Sequence, residues 1–165
     1  DVSASVLFFP AETGNSLDAK IILVREYRSA VRNKLGFGLM LPGGSAAMAS
    51  ERSSDPRQTA QREVAEETGL QIDPVQFEPV DAGDRQVAAS LASYHCHLFR
   101  VRLRPEQLHA LETMAASGKS NGANVGERCY VTVRTVRELL DSPDLDWSQL
   151  GMVLHALGLP HPPRA

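Results

Sequence analysis

The stretch "REVAEETGL", Arg62 to Leu70, carries three glutamates within five residues: Glu63, Glu66 and Glu67. On a helix, residues three and four apart share a face, so Glu66 and Glu67 both lie one turn beyond Glu63. Like charges at that spacing repel, and no cation follows one turn further on. Gly69 reads as a C-cap, which sets the acidic face at the C-terminal end of the helix, where the macrodipole disfavours carboxylates. Acidic clusters are commonly solvated surface. One placed against both its neighbours and the dipole needs a counter-charge. A hard divalent cation supplies it, because Mg²⁺ and Mn²⁺ prefer carboxylate oxygen.

That chemistry requires a helix, and the flanks predict one. Asp55 and Pro56 read as N-cap and first helical residue, and the helix runs to about Thr68 with Ala60 and Val64 facing inward. Ahead of it, Ser5 to Pro10 reads as a strand stopped by proline, and Lys20 to Tyr27 as a strong aliphatic strand. Asn33 to Gly44 reads as a turn, a short apolar strand and a glycine-rich stop, followed by an exposed loop. Behind it, Leu70 to Val80 is extended and broken by Pro74 and Pro79, and Tyr94 to Leu103 alternates as a strand. Arg104 to Gly118 is a helix with Leu108, Leu111 and Ala115 on one stripe. Lys119 to Glu127 has the composition of a mobile loop. A strand over 128–133, a short helix over 135–140 and a terminal helix from Asp146 to Gly158 complete the chain. In that last helix Leu150, Val153, Leu154 and Leu157 face in, and Trp147 is expected to anchor it. Strands and helices mix without strict alternation, so the fold class is α/β of the mixed α+β kind, as a single domain over 1–165.

The bulk composition fits a soluble globular protein. The chain has 165 residues, 42% hydrophobic and 22% charged, enough for a real core. A formal net charge of −3 leaves no footprint for a nucleic-acid polymer. No apolar run is long enough to span a membrane. Two cysteines, Cys96 and Cys129, make no disulfide framework, which points to a reducing, cytoplasmic setting. The chain opens on Asp1, so a targeting segment ahead of it would not show.

Taken with "PGG" at Pro42 to Gly44, the acidic stretch resembles the signature of the Nudix hydrolases, the MutT-like superfamily, G-x5-E-x7-R-E-U-x-E-E-x-G-U with U apolar. Arg62, Glu63, Val64, Glu66, Glu67, Gly69 and Leu70 match its second half at every specified position, and Gly44 matches the opening glycine. The segment between Gly44 and Arg62 is about four residues longer than the pattern, and Ser54 stands where the first glutamate belongs. In the family that glutamate pairs with the arginine matched by Arg62; Glu51, Asp55 or a backbone carbonyl must take its place here.

The resemblance implies an α/β/α sandwich with a mixed sheet between helices. It implies an enzyme that uses Mg²⁺ or Mn²⁺ to hydrolyse a nucleoside diphosphate linked to another group. On that pattern Glu63 and Glu67 are the first metal ligands, Glu66 a third, and Gly44 contributes a backbone carbonyl, with Gly43 letting the phosphates approach. Arg62 touches phosphate or, by analogy, orients Glu63. The general base is a glutamate of the motif or one on a distant loop; Glu127 fits the second pattern, and pairing with Arg128 is its plain alternative. Arg25, Arg28 and Phe37 are candidate substrate contacts. His95 and His97 form H-x-H on a strand, which more often marks core or surface histidines than a metal site. A nucleotide sugar such as ADP-ribose ranks first as substrate and a nucleoside triphosphate, including an oxidised one, second. A module that binds nucleotide without cleaving it is the reading from another class. The expected partner is a small nucleotide. A homodimer is compatible with the strand "SVLFF" but not required.

Overall fold

The computed structural model describes residues 2–28, 31, 36–45, 55–87, 95–121 and 128–159. In chain order the strands and helices are β1 (Val2–Phe9), β2 (Lys20–Tyr27), β3 (Phe37–Met40), β4 (Gly43–Ser45), α1 (Pro56–Thr68), β5 (Glu78–Pro79), β6 (Arg85–Gln86), β7 (His95–Arg102), α2 (Pro105–Ser117), β8 (Tyr130–Thr135), α3 (Val136–Leu140) and α4 (Trp147–Ala156). All strands join one mixed sheet. β1 runs parallel to β7 and antiparallel to β2, and β2 pairs antiparallel with β8.

Alternation along the strands builds a core on each face. Ala4, Val6, Ile21, Leu23 and Leu98 point to one side, where α3 and α4 cover them with Val136, Leu139, Leu150 and Val153. Leu7, Ile22, Phe99 and Val101 point to the other, where α1 and α2 cover them with Ala60, Val64, Leu108 and Leu111. A period of two delivers successive side chains to opposite faces. The expected sandwich of a mixed sheet between helices is therefore what forms.

A fork in the sheet sets up the site. β7 takes one edge of β1 from Val2 to Phe8. On the other edge β1 pairs with β2 only over Leu7–Phe9 and with β4 over Val2–Ala4. β2 likewise leaves β1 after Ile22 and pairs with β3 from Val24 to Tyr27. The segment 37–45 thus fills the gap where β1 and β2 diverge, and Ser5 N donates to Pro42 O at 2.9 Å inside it.

Four expectations need correction. The first strand starts at Val2, not Ser5. It is paired along both edges, so its backbone is not open to a second copy. Gly43 and Gly44 form a strand rather than a stop, and neither has positive φ. Trp147 does not anchor α4: it is 87% exposed, and Leu150, Val153 and Ala156 hold the helix instead.

α1 starts and ends on the expected caps. Asp55 Oδ1 accepts from Arg57 N at 2.9 Å, Pro56 needs no N–H partner, and Gly69 closes the helix at φ 70° with its N–H on Ala65 O. Asp55→Ala is expected to cost about 1 kcal/mol of unfolding free energy and Asp55→Asn much less, as read by urea denaturation. Equal losses in the two variants would show that the cap bond is not what Asp55 contributes.

Candidate metal-binding active site

α1 lays its acidic face against the β3–β4 crossing. Gly43 N donates to a carboxylate oxygen of Glu67 at 3.0 Å. Gly44 lies so close to Glu63 that a Cβ there would sit 2.6 Å from the carboxyl carbon and 2.7 Å from both oxygens. A Cβ on Gly43 would sit 2.3 Å from the carbonyl oxygen of Ser3. The glycine pair is needed for close approach, to a carboxylate on one side and to β1 on the other.

Part of the missing counter-charge comes from inside the motif. Arg62 contacts Glu63 at 3.0 Å and Glu66 at 3.6 Å, and its guanidinium donates to Ser45 O at 3.3 Å. One cation thus ties two of the three glutamates to the end of β4. Asp55 is occupied as the helix cap, and Glu51 lies outside the described residues.

Glu67 has no such partner cation in direct contact on its own helix, and its carboxyl is pushed up to about 8. Burial is the main cause; the charges of Glu63 and Glu26 add to it, while the Gly43 hydrogen bond and Arg28 oppose it. A half-buried carboxyl close to two others could hold a divalent cation, through Glu67 with Glu63 or Glu26; among the described residues Glu63, Glu66 and Glu67 do not close into a three-ligand cluster. When bound, such an ion neutralises phosphate charge and lowers the pKa of a bound water.

Two residues here escaped sequence reasoning. Glu26 on β2 raises Glu67 by its charge and pairs with Arg28 at 2.7 Å. Cys129, just ahead of β8, is 3% exposed and lies beside them. No alternation pointed to them, since Ile21 to Val24 are all buried; the β2–β8 register is what brings Glu26 and Cys129 together.

The candidate substrate residues divide. Arg28, Gly43 and Gly44 line one cleft of about 570 Å³, which Asp144, Gln149 and Met152 also line. The start of α4 is fixed to it, because Gln149 Oε1 accepts from Leu41 N at 2.9 Å. Arg25 and Phe37 meet each other. The Arg25 guanidinium stacks 5.5 Å from the Phe37 ring and 5.4 Å from the Tyr130 ring, in a hollow with Glu112 and Lys119. Glu127 lies outside the described residues. His95 pairs with Asp84 at 3.0 Å, and neither His95 nor His97 belongs to a metal-ligand cluster among the described residues. Among them, too, no helix is long and apolar enough to cross a membrane.

Comparison with known proteins bears on the family and the fold. The family model for the NUDIX domain matches residues 2–148. No curated protein matches the chain. Among solved structures, a mutT/nudix family protein from Listeria innocua is 22% identical, covering 95% of this chain and 90% of its own, with a TM-score of 0.64. The NUDIX domain of Shewanella oneidensis NrtR, complexed with ADP ribose, is 16% identical over 94% and 84%, with a TM-score of 0.61. A NUDIX hydrolase from Nitrosomonas europaea is 18% identical over 93% and 85%, with a TM-score of 0.57. At these identities the structures establish the fold, and the family model establishes membership. The glycine pair under an acidic helix, the sheet between helix layers and the family match together make this chain a member of the Nudix hydrolase family.

Proposed function

We propose that the protein hydrolyses the pyrophosphate bond of a nucleoside diphosphate linked to a second group, with a nucleotide sugar of the ADP-ribose kind as the first substrate to test. The observation that carries this is the half-buried Glu67 carboxyl, held by Gly43 N and close to Glu63 and Glu26, behind the glycine pair that lines a cleft of about 570 Å³. Mg²⁺ or Mn²⁺ is the cofactor in this reading, held by Glu63 and Glu67, with Glu66 and the Gly44 carbonyl as further donors. Arg28 reaches the cleft and takes a phosphate charge. Arg62 holds Glu63 in place. The bound ADP ribose of the Shewanella oneidensis NUDIX domain supports the choice of substrate class.

The deciding experiment is a product-release assay with ADP-ribose, other nucleotide sugars, dinucleotides and nucleoside triphosphates, each with Mg²⁺ or Mn²⁺ and with chelator. Metal-dependent cleavage of nucleotide sugars is the expected result. Cleavage confined to triphosphates would replace the substrate class, and tight binding with no cleavage of any would make the protein a binding module. Glu127 is the proposed general base. Glu127→Gln is expected to lower kcat about a hundredfold with little change in KM. Unchanged steady-state kinetics would move the base to Glu63 or Glu26.

A further inference from the structure

Three donors from three elements converge beside the Gly43–Glu67 hydrogen bond. One oxygen of Glu26 on β2, one of Glu67 on α1 and Sγ of Cys129 all lie within 4.8 Å of one another, the sole such group among the described residues. The sheet register explains the meeting. Arg25 pairs with Tyr130 in the antiparallel β2–β8 ladder, so the next step sets Glu26 opposite Cys129. The thiol is held there. Cys129 N donates to Asn121 O at 2.9 Å and Asn121 N to Cys129 O at 2.8 Å. Asn121 Nδ2 reaches Glu67 O at 3.4 Å, tying this corner to the end of α1.

A thiol in this place does not suit Mg²⁺, which takes oxygen ligands. It suits a thiophilic ion, for which sulfur is the preferred donor. Around a tetrahedral Zn²⁺, bonds of about 2.3 Å to sulfur and about 2.1 Å to oxygen set the two donors roughly 3.6 Å apart. Donors already within 4.8 Å therefore need to close by at most about an ångström.

We infer that Cys129, Glu26 and Glu67 form a thiol-containing site for a thiophilic divalent cation of the Zn²⁺ or Cd²⁺ class, overlapping the hard-ion site through Glu67. On capture the Cys129 S–H bond breaks, the protons held by Cys129 and by the Glu67 carboxyl leave to solvent and a sulfur–metal bond forms, with no change of oxidation state. Glu67 is shared, so such an ion competes with Mg²⁺ for the site. The inference rests on the reading of Glu67 as an active-site metal ligand.

Cd²⁺ titration of the whole chain tests it, read by the ultraviolet charge-transfer band of a cadmium–thiolate bond. The expected result is a band that saturates at one equivalent, persists in Cys96→Ser and is absent in Cys129→Ser. Zn²⁺ affinity, measured by competition with a chromophoric chelator, is expected to fall at least tenfold in Cys129→Ser. No band in the wild type, a band lost in Cys96→Ser, or Zn²⁺ bound as tightly by Cys129→Ser would each overturn the inference. The wild-type and Cys96→Ser titrations decide the matter even where Cys129→Ser does not fold. Cleavage with Mg²⁺ is scored separately: cleavage without the band removes only the thiol site, and the band without cleavage removes only the hydrolytic reading.

Discussion

Glu67→Gln is expected to remove metal-dependent turnover by roughly a thousandfold and, at the same time, to make the metal-free protein more stable above pH 8. The two effects have one cause. The folded protein raises the Glu67 carboxyl from 4.5 to about 8, chiefly by burial. Between those values the folded state holds a proton that the unfolded chain has released, so stability falls as pH rises through that window. Above it the full cost of a half-buried carboxylate, only partly offset by Gly43 N and Arg28, is present, on the order of a few kcal/mol. Glutamine keeps the shape and can still accept from Gly43 N, but carries no charge. At pH 8.5 without metal, the variant should therefore melt about 5 °C higher than wild type, and at pH 5 the two should nearly coincide. Mg²⁺ should raise the wild-type Tm at pH 8.5 and leave the variant unmoved, because an ion that binds only the folded state adds stability by mass action. Equal melting temperatures at both pH values would show that Glu67 is not a buried charge, and undiminished turnover would remove it from the metal site.

The helix that carries the motif was legible in full, because its signals are local. Asp55, Pro56 and Gly69 each act within one turn, and the structure places its ends on them. The same holds for β2, whose aliphatic run admits no other reading. What the sequence did not disclose is what meets the helix from far along the chain. Glu26 and Cys129 reach Glu67 only through strand register, which is set by packing over the whole sheet. Trp147 failed for the opposite reason: hydrophobicity predicts burial on average, yet its place at the first turn of α4 leaves it facing solvent. The glycine pair was legible as important but not as strand. Its reason is the approach of backbone and carboxylate, which only three-dimensional neighbours reveal.

That distinction gives the glycine pair a sharp expected result, because the two residues crowd different kinds of neighbour. A methyl on Gly43 meets backbone: the Ser3 carbonyl oxygen at 2.3 Å and the Ala4 Cα at 2.9 Å. Neither can withdraw without unpairing β4 from β1, so Gly43→Ala is expected to cost about 3 kcal/mol of stability and to loosen the crossing that holds Glu67. The three atoms nearest to a methyl on Gly44 all belong to the tip of Glu63. That side chain can swing away by rotamer change, at a cost in folding below about 1 kcal/mol. The swing carries the carboxylate off the metal site and from its contact with Arg62. Gly44→Ala should therefore fold almost as wild type, while Mn²⁺ affinity by calorimetry falls about tenfold or more and turnover about a hundredfold. The pair separates the two jobs of the crossing, since Gly43 bears on the sheet and Gly44 on the ion. Wild-type Mn²⁺ affinity in Gly44→Ala would mean that Glu63, displaced by the methyl, was never a ligand, and the hard-ion site would then have to be built on Glu67 and Glu26 instead.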